Sequence, residues 1–141
     1  MSRVIKFRGI SQVTGRWKYG SFCEVIQVLG KNPVSLIVAD NYDEYIVKPE
    51  TVGQFTGKKT KDGTEIYQGD ILGGYPHGTA VVEWNEKSGC WMSVSFNSVV
   101  NEAGDPSTER EETPLSYDLE NCFQEWRVIG NIYSTPELLK Q

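Results

Sequence analysis

Short alternating stretches dominate the chain, and sustained helical periodicity is nearly absent. Val4, Lys6 and Arg8 alternate with Ile5 and Phe7, so Arg3 to Gly9 reads as a strand with one apolar and one mostly charged face. A polar connector ends at Gly15, and Trp17, Tyr19 and Phe22 then lie on a second extended stretch able to return as a hairpin. Glu24 to Leu29 and Val34 to Val38 read as two further strands, interrupted by Gly30 and Pro33, and Tyr42 to Val47 as another. Lys61-Asp62-Gly63-Thr64 supplies a tight reversal, because glycine accepts the positive φ that hairpin turns need. Gly73 to Gly78, with His77 inside it, reads as a flexible loop. Thr79 to Trp84, the turn Asn85 to Gly89 and Cys90 to Phe96 read as a hairpin.

Beyond Phe96 the apolar alternation stops. Residues 97–114 gather Gly104, Pro106 and five acids, Glu102, Asp105, Glu109, Glu111 and Glu112, which predicts a mobile acidic surface loop. Leu119, Cys122, Phe123 and Trp126 follow at i, i+3, i+4 and i+7 with Asp118 placed as an N-cap, so a short helix is expected before the strand Arg127 to Tyr133. Ser134-Thr135-Pro136-Glu137 has the form of a capping box, closing the chain on one helical turn with Leu138 and Leu139 packed.

The expected fold class is therefore mainly β: short N-terminal strands over residues 1–54, then a small SH3-like, partly open barrel over residues 55–141 that carries the acidic loop, with a short helix near the C-terminus. At 141 residues, 38% hydrophobic, the chain can bury a core without staples. Cys23, Cys90 and Cys122 are odd in number and scattered, which suits reduced thiols acting as small core or half-buried residues. No apolar run approaches a membrane span and the N-terminus lacks a hydrophobic leader, so a cytoplasmic protein without membrane attachment is expected.

Net charge is −5, unevenly spread: Met1 to Lys61 carries +5 and Asp62 to Gln141 carries −10. A basic half facing an acidic half, within one molecule or between copies, is the simplest reading, and it makes the chain itself an expected partner. The alternative is nucleic-acid binding, with Arg3, Lys6, Arg8, Arg16 and Lys18 as cations interleaved with the stacking rings Trp17 and Tyr19. Metal binding fails on inventory, since His77 is the only histidine and the cysteines lack ligand spacing, and no cofactor is implied. Phosphate-binding glycine motifs of the common kinds are absent. A carboxylate-dependent hydrolase remains a further alternative, with Asp70 and Glu83 as its candidate pair. No catalytic residue is assigned.

Three pieces in fixed order carry a family resemblance. They are Thr56-Gly57 with Lys61-Asp62-Gly63-Thr64-Glu65-Ile66-Tyr67-Gln68-Gly69-Asp70-Ile71-Leu72, then Ala80-Val81-Val82-Glu83-Trp84, then Val128-Ile129-Gly130-Asn131-Ile132-Tyr133 with Pro136-Glu137-Leu138-Leu139. Together they resemble the YopX-like proteins of phages and integrated prophages. Lys58 stands where that family usually has leucine after Thr-Gly. The resemblance implies a phage or prophage context, a location in the bacterial host cytoplasm and no reaction; an accessory role through contacts with itself and with a phage or host protein is the expectation. The motif residues also have structural roles available: Gly63, Gly69 and Gly130 at turns or bulges, Asp62 and Asn131 in side-chain-stabilised turns, and Tyr67, Trp84 and Tyr133 in the core.

Overall fold

The structure, a computed structural model, describes residues 3–26, 32–74, 78–121 and 126–139. It is mainly β, with eleven strands in antiparallel sheets and one short helix near the C-terminus among those residues. The chain divides into two compact units, Met1–Gly57 and Lys58–Gln141.

In the N-terminal unit the strands are β1 (Phe7–Ile10), β2 (Trp17–Val25), β3 (Val34–Val38), β4 (Glu44–Ile46) and β5 (Gly53–Lys59), ordered β4-β3-β2-β1-β5. β2 is one strand of nine residues where the sequence pattern suggested two shorter ones, because its first part pairs with β1 and its last five residues pair with β3. The turn after β1 is tied by Ser11, whose hydroxyl accepts the amides of Val13 and Thr14 at 3.2 Å. Ile37, Val47 and Phe55 are buried, and the rings of Phe7 and Phe22 meet at 5.8 Å. Close backbone approach is why position 9 is glycine: a Cβ there would stand 2.9 Å from the Val47 side chain.

The end of β5 enters the C-terminal unit and reverses at Thr60 to Thr64 into β6 (Glu65–Tyr67). There follow β7 (Asp70–Gly74), β8 (Gly78–Asn85), β9 (Cys90–Val100), β10 (Pro106–Pro114), α1 (Leu115–Asn121) and β11 (Arg127–Asn131), then a 3-10 turn at Pro136–Leu139. The sheet order is β10-β9-β8-β7-β11. β10 and β11 are its open edges, and the described strands close no barrel. One face of this sheet carries the core, in which Ile66, Leu72, Ala80, Val82, Leu115 and Trp126 cluster with Trp91, Leu119 and Val128 against them. The other face buries Ile71, Val81 and Val94, and Leu138 of the 3-10 turn reaches it beside Gly130.

Four expectations need correction. Residues 97–114 are not a loop: β9 and β10 form a ladder of nine residue pairs, closed by a turn at Asn101 to Asp105. Hydrophobic alternation is missing there because both faces meet solvent, so the backbone ladder rather than side-chain burial defines the ribbon. The helix begins at Leu115, and Asp118 falls inside it instead of capping it. Leu115 and Leu119, an i, i+4 pair, are its core positions, whereas Cys122 and Phe123 lie outside the described residues. Cys23 is exposed and Cys90 half-buried, while Cys122 and His77 fall outside the description. Trp84 is 41% exposed, its ring meeting the edge of Trp91 at 5.1 Å, whereas Tyr67 is buried and Tyr133 half-buried.

Candidate functional site

The N-terminal cations divide between two faces. Register pairs Arg8 with Tyr19 and Ile10 with Trp17, so Arg8, Trp17 and Tyr19 share one face, and Lys6, two residues before Arg8, joins them. Lys18, opposite Gly9, lies on the other face. Arg8 is buried with its guanidinium 4.2 Å over the Trp17 ring, Lys6 stands 5.4 Å over Phe55, and Lys18 stands 4.4 Å over Tyr45. These cations are thus engaged by rings of their own unit. Tyr19, Arg3 and Arg16 are exposed.

Asp70 and Glu83 do not meet. Leu72 pairs with Ala80 and Ile71 with Val81, so Asp70 shares the face of Val82 and Glu83 projects from the opposite face. Asp70 is buried, and its Oδ2 accepts the Tyr67 amide at 2.8 Å, which fixes the turn through Gly69. Glu83 accepts from Arg110 of β10.

The β9–β10 ribbon is the most extended feature of the C-terminal unit. Every residue of β10 is exposed apart from half-buried Thr113, and Phe96 and Val100 on β9 are 47% and 70% exposed. Arg110, opposite Phe96 in the ladder, bridges Glu83 and Glu112, and its guanidinium lies 5.9 Å from the Phe96 ring. The two acids hold the Arg110 pKa above its ordinary value. Asn85 donates to Glu112 and Asn97 to Glu111, so side chains brace the ribbon near its root. Asn97 to Pro114 carries five acids and one base. Charges on an edge strand of this length discourage addition of a further strand.

A second region gathers around the reversal into β6. Thr60 is buried between exposed Lys59 and Lys61, and Asp62 takes up the turn: its carboxylate accepts from the Thr60 hydroxyl and from the Thr64 amide. The Thr60 hydroxyl, then Thr64, and the charge of Arg127 hold the Asp62 pKa below the usual carboxylate value. Lys61, Asp62, Trp126 and Arg127 line a half-open cleft of about 260 Å³. A second cleft of about 90 Å³, bounded also by Lys59, Thr60 and Leu119, shares Lys61 and Trp126 with it. Nothing along the chain announces this cluster, because Lys59 and Lys61 read only as polar turn residues and the fold alone brings Arg127 to them.

No group of three or more His, Cys, Asp or Glu among the described residues is placed to hold a metal ion, and no described helix is long and apolar enough to cross a membrane. The geometry defines a small antiparallel β protein of two units, the second bearing an acidic two-stranded ribbon and a cationic cleft. The chain belongs to the YopX family: the family model described as YopX protein matches residues 6–140. No curated protein matches it.

Proposed function

We propose that this chain is a non-enzymatic accessory protein of a phage or prophage that works in the host cytoplasm through protein contacts, first with further copies of itself. The β9–β10 ribbon is the contact element. The observation that carries this reading is the ribbon itself: a nine-pair ladder whose outer half covers no core, with Phe96 and Val100 exposed on one face and a net charge of −4 from Asn97 to Pro114. Ordering such a segment costs backbone entropy that no local burial repays, which makes sense when an intermolecular contact uses it. The complementary surface is the N-terminal unit, Met1 to Gly57, which carries +2 with Arg3, Arg16 and Lys48 exposed.

Sedimentation velocity across a concentration series tests it, with a variant in which residues 98–108 are replaced by a two-residue turn that joins the paired Asn97 and Glu109. Concentration-dependent association by the native chain, lost in the shortened variant with its circular dichroism otherwise kept, is expected. A monomer at every concentration and salt overturns the self-association.

Nucleic-acid binding is the second reading, supported by Tyr19 standing exposed beside Lys6, Arg8 and Trp17 on one face. It requires salt-sensitive binding that weakens in Lys6→Gln with Tyr19→Ala, both on that face; no mobility shift with DNA or RNA at low salt discards it.

A further inference from the structure

Hydrogen-bond parity decides what the outer edge of the ribbon can accept. The turn that closes the ribbon bonds the Asn101 amide to the Asp105 carbonyl at 3.0 Å, and bonded pairs alternate along an antiparallel ladder. Ser107, Glu109, Glu111 and Thr113 therefore direct their backbone groups to β9, whereas Pro106, Thr108, Arg110, Glu112 and Pro114 turn theirs outward. Both prolines fall at outward positions, where the ladder loses no bond. β10 ends its sheet, so its outward amide donors are those of Thr108, Arg110 and Glu112, a window of five residues with a proline two residues beyond each end.

Ahead of β1, Arg3, Val4 and Ile5 belong to no strand, although valine and isoleucine favour one. Val4 is 56% and Ile5 62% exposed, and only at Lys6 does the backbone meet a neighbouring strand, its carbonyl accepting the Phe55 amide at 2.8 Å. The five residues that precede Lys6 match the window in number and hold Arg3 and no acid.

We propose that this N-terminal arm of one copy adds as an antiparallel edge strand to β10 of a second copy, between the two prolines. The proposal rests on the reading of the ribbon as a contact between copies and names the segment that fills it. Main-chain bonds make the attachment, as in other cases of strand addition, and charge selects the strand. Two β10 strands laid edge to edge and centred on Arg110 would oppose Arg110 to Arg110 and Glu109 to Glu111, so the edge resists its own kind there. The arm brings the opposite sign. An antiparallel register that sets Arg3 opposite Glu109 and diagonal to Glu111 puts Val4 opposite Thr108, a pair of β-branched residues whose backbones exchange bonds within the window. The acids that discourage a neutral or acidic strand along this edge thus favour a basic one.

Complementation tests it. One variant lacks residues 2–5 and keeps its ribbon edge; the other, Thr108→Pro, keeps its arm and loses an outward amide while the bonds from β10 to β9 stay. In sedimentation velocity each variant alone is expected to associate tenfold or more weakly than the native chain, with its circular dichroism kept. Mixed in equal amounts they should form a complex again, because the Thr108→Pro chain donates an arm to the intact edge of the other. In that mixture the Thr108 and Arg110 amides of the isotope-labelled, arm-deleted chain should gain hydrogen-exchange protection. Association that survives deletion of the arm but is lost when the ribbon is shortened overturns the arm and leaves the ribbon reading standing. A native chain that is monomeric at every concentration overturns both. Protection of Thr108 and Arg110 in a monomer, lost on deletion of the arm, assigns the added strand to the same molecule and overturns the exchange, as does a mixture no better associated than its parts.

Discussion

Gly130 shows how one residue can be decided by its neighbours. It sits where the β11–β7 register slips between Val128 and Gly130, and a Cβ at this place would stand 2.0 Å from Thr135 Oγ1 and 2.9 Å from Leu138 Cδ1. The Thr135 hydroxyl cannot easily retreat, since it accepts the Asn131 amide at 3.1 Å and bonds the Asn131 carbonyl at 3.2 Å. Gly130→Ala is expected to cost about 1–3 kcal/mol through overpacking. Urea denaturation measures it, and Thr135→Ala in the same chain recovers only part of the loss because Leu138 remains. Asp62 makes a second test. Its folded pKa is depressed, so the stability it contributes is present above the unfolded carboxylate pKa and disappears as pH falls through the folded one. Asp62→Asn keeps an acceptor for Thr64 but loses the charge, so native and variant stabilities should differ at pH 7 and converge once the pH has fallen below the depressed folded pKa. An unchanged gap at acid pH would rule out the charge as the cause. The turn roles of Gly63, Gly69, Asp62 and Asn131 were legible in the sequence, because turn chemistry is local: Asn131 Oδ1 accepts the amides of Tyr133 and Ser134 at 3.0 and 2.9 Å, and Gly63 and Gly69 have φ of 88° and 87°. The exposure of Trp84 was not, because alternation names a face without saying what covers it.

At the scale of elements, strands with a buried face were readable and the ribbon was not. The hairpin from Gly78 to Val94 was readable because its middle is buried, Ala80 and Val82 on the core face and Val81 and Val94 on the other, and its turn carries the expected Asn and Gly, with Gly89 donating to the Asn85 carbonyl at 2.9 Å. The outer part of β9 and nearly all of β10 meet water on both faces, so their sequence has the composition of a loop while their backbones pair. Helix α1 was placed too late for a related reason: its period was anchored on Trp126, although Leu115, four residues before Leu119, begins the apolar stripe. Truncation should separate the two cases. Leu115→Ala, at a 1% exposed position in the core cluster, is expected to cost about 2–5 kcal/mol, whereas Val100→Thr near the ribbon tip should change monomer stability by no more than about 0.5 kcal/mol. Chemical denaturation of both variants at low protein concentration decides it, and a ribbon substitution as costly as the core one would mean that the ribbon belongs to the cooperative core. The cationic cleft belongs to this scale too. No spacing along the chain foretold it, because Arg127 reaches Lys61 only through the pairing of β11 with β7 and the packing of Trp126.

For the whole molecule the governing fact is segregation of charge, +2 on Met1 to Gly57 against −7 on Lys58 to Gln141, with −4 of the latter from Asn97 to Pro114. If the acidic ribbon of one copy meets the basic unit of another, the attraction acts between largely exposed groups and must be screened. The Debye length falls from about 10 Å at 0.1 M to about 3 Å at 1 M salt, a range that spans the reach of Lys and Arg side chains on such a surface. Association should therefore weaken by about an order of magnitude over that range, with most of the change in the rate of encounter. Reversing Glu109 and Glu111 to Lys should abolish the salt dependence along with the association, while leaving the Arg110 bridge to Glu83 and Glu112 intact, because residues 109 and 111 point to the opposite face of the ribbon. Sedimentation equilibrium at several salt concentrations gives the slope. Association that strengthens with salt would assign the contact to the apolar side chains Phe96 and Val100 instead, since salt screens exposed charges but not apolar burial.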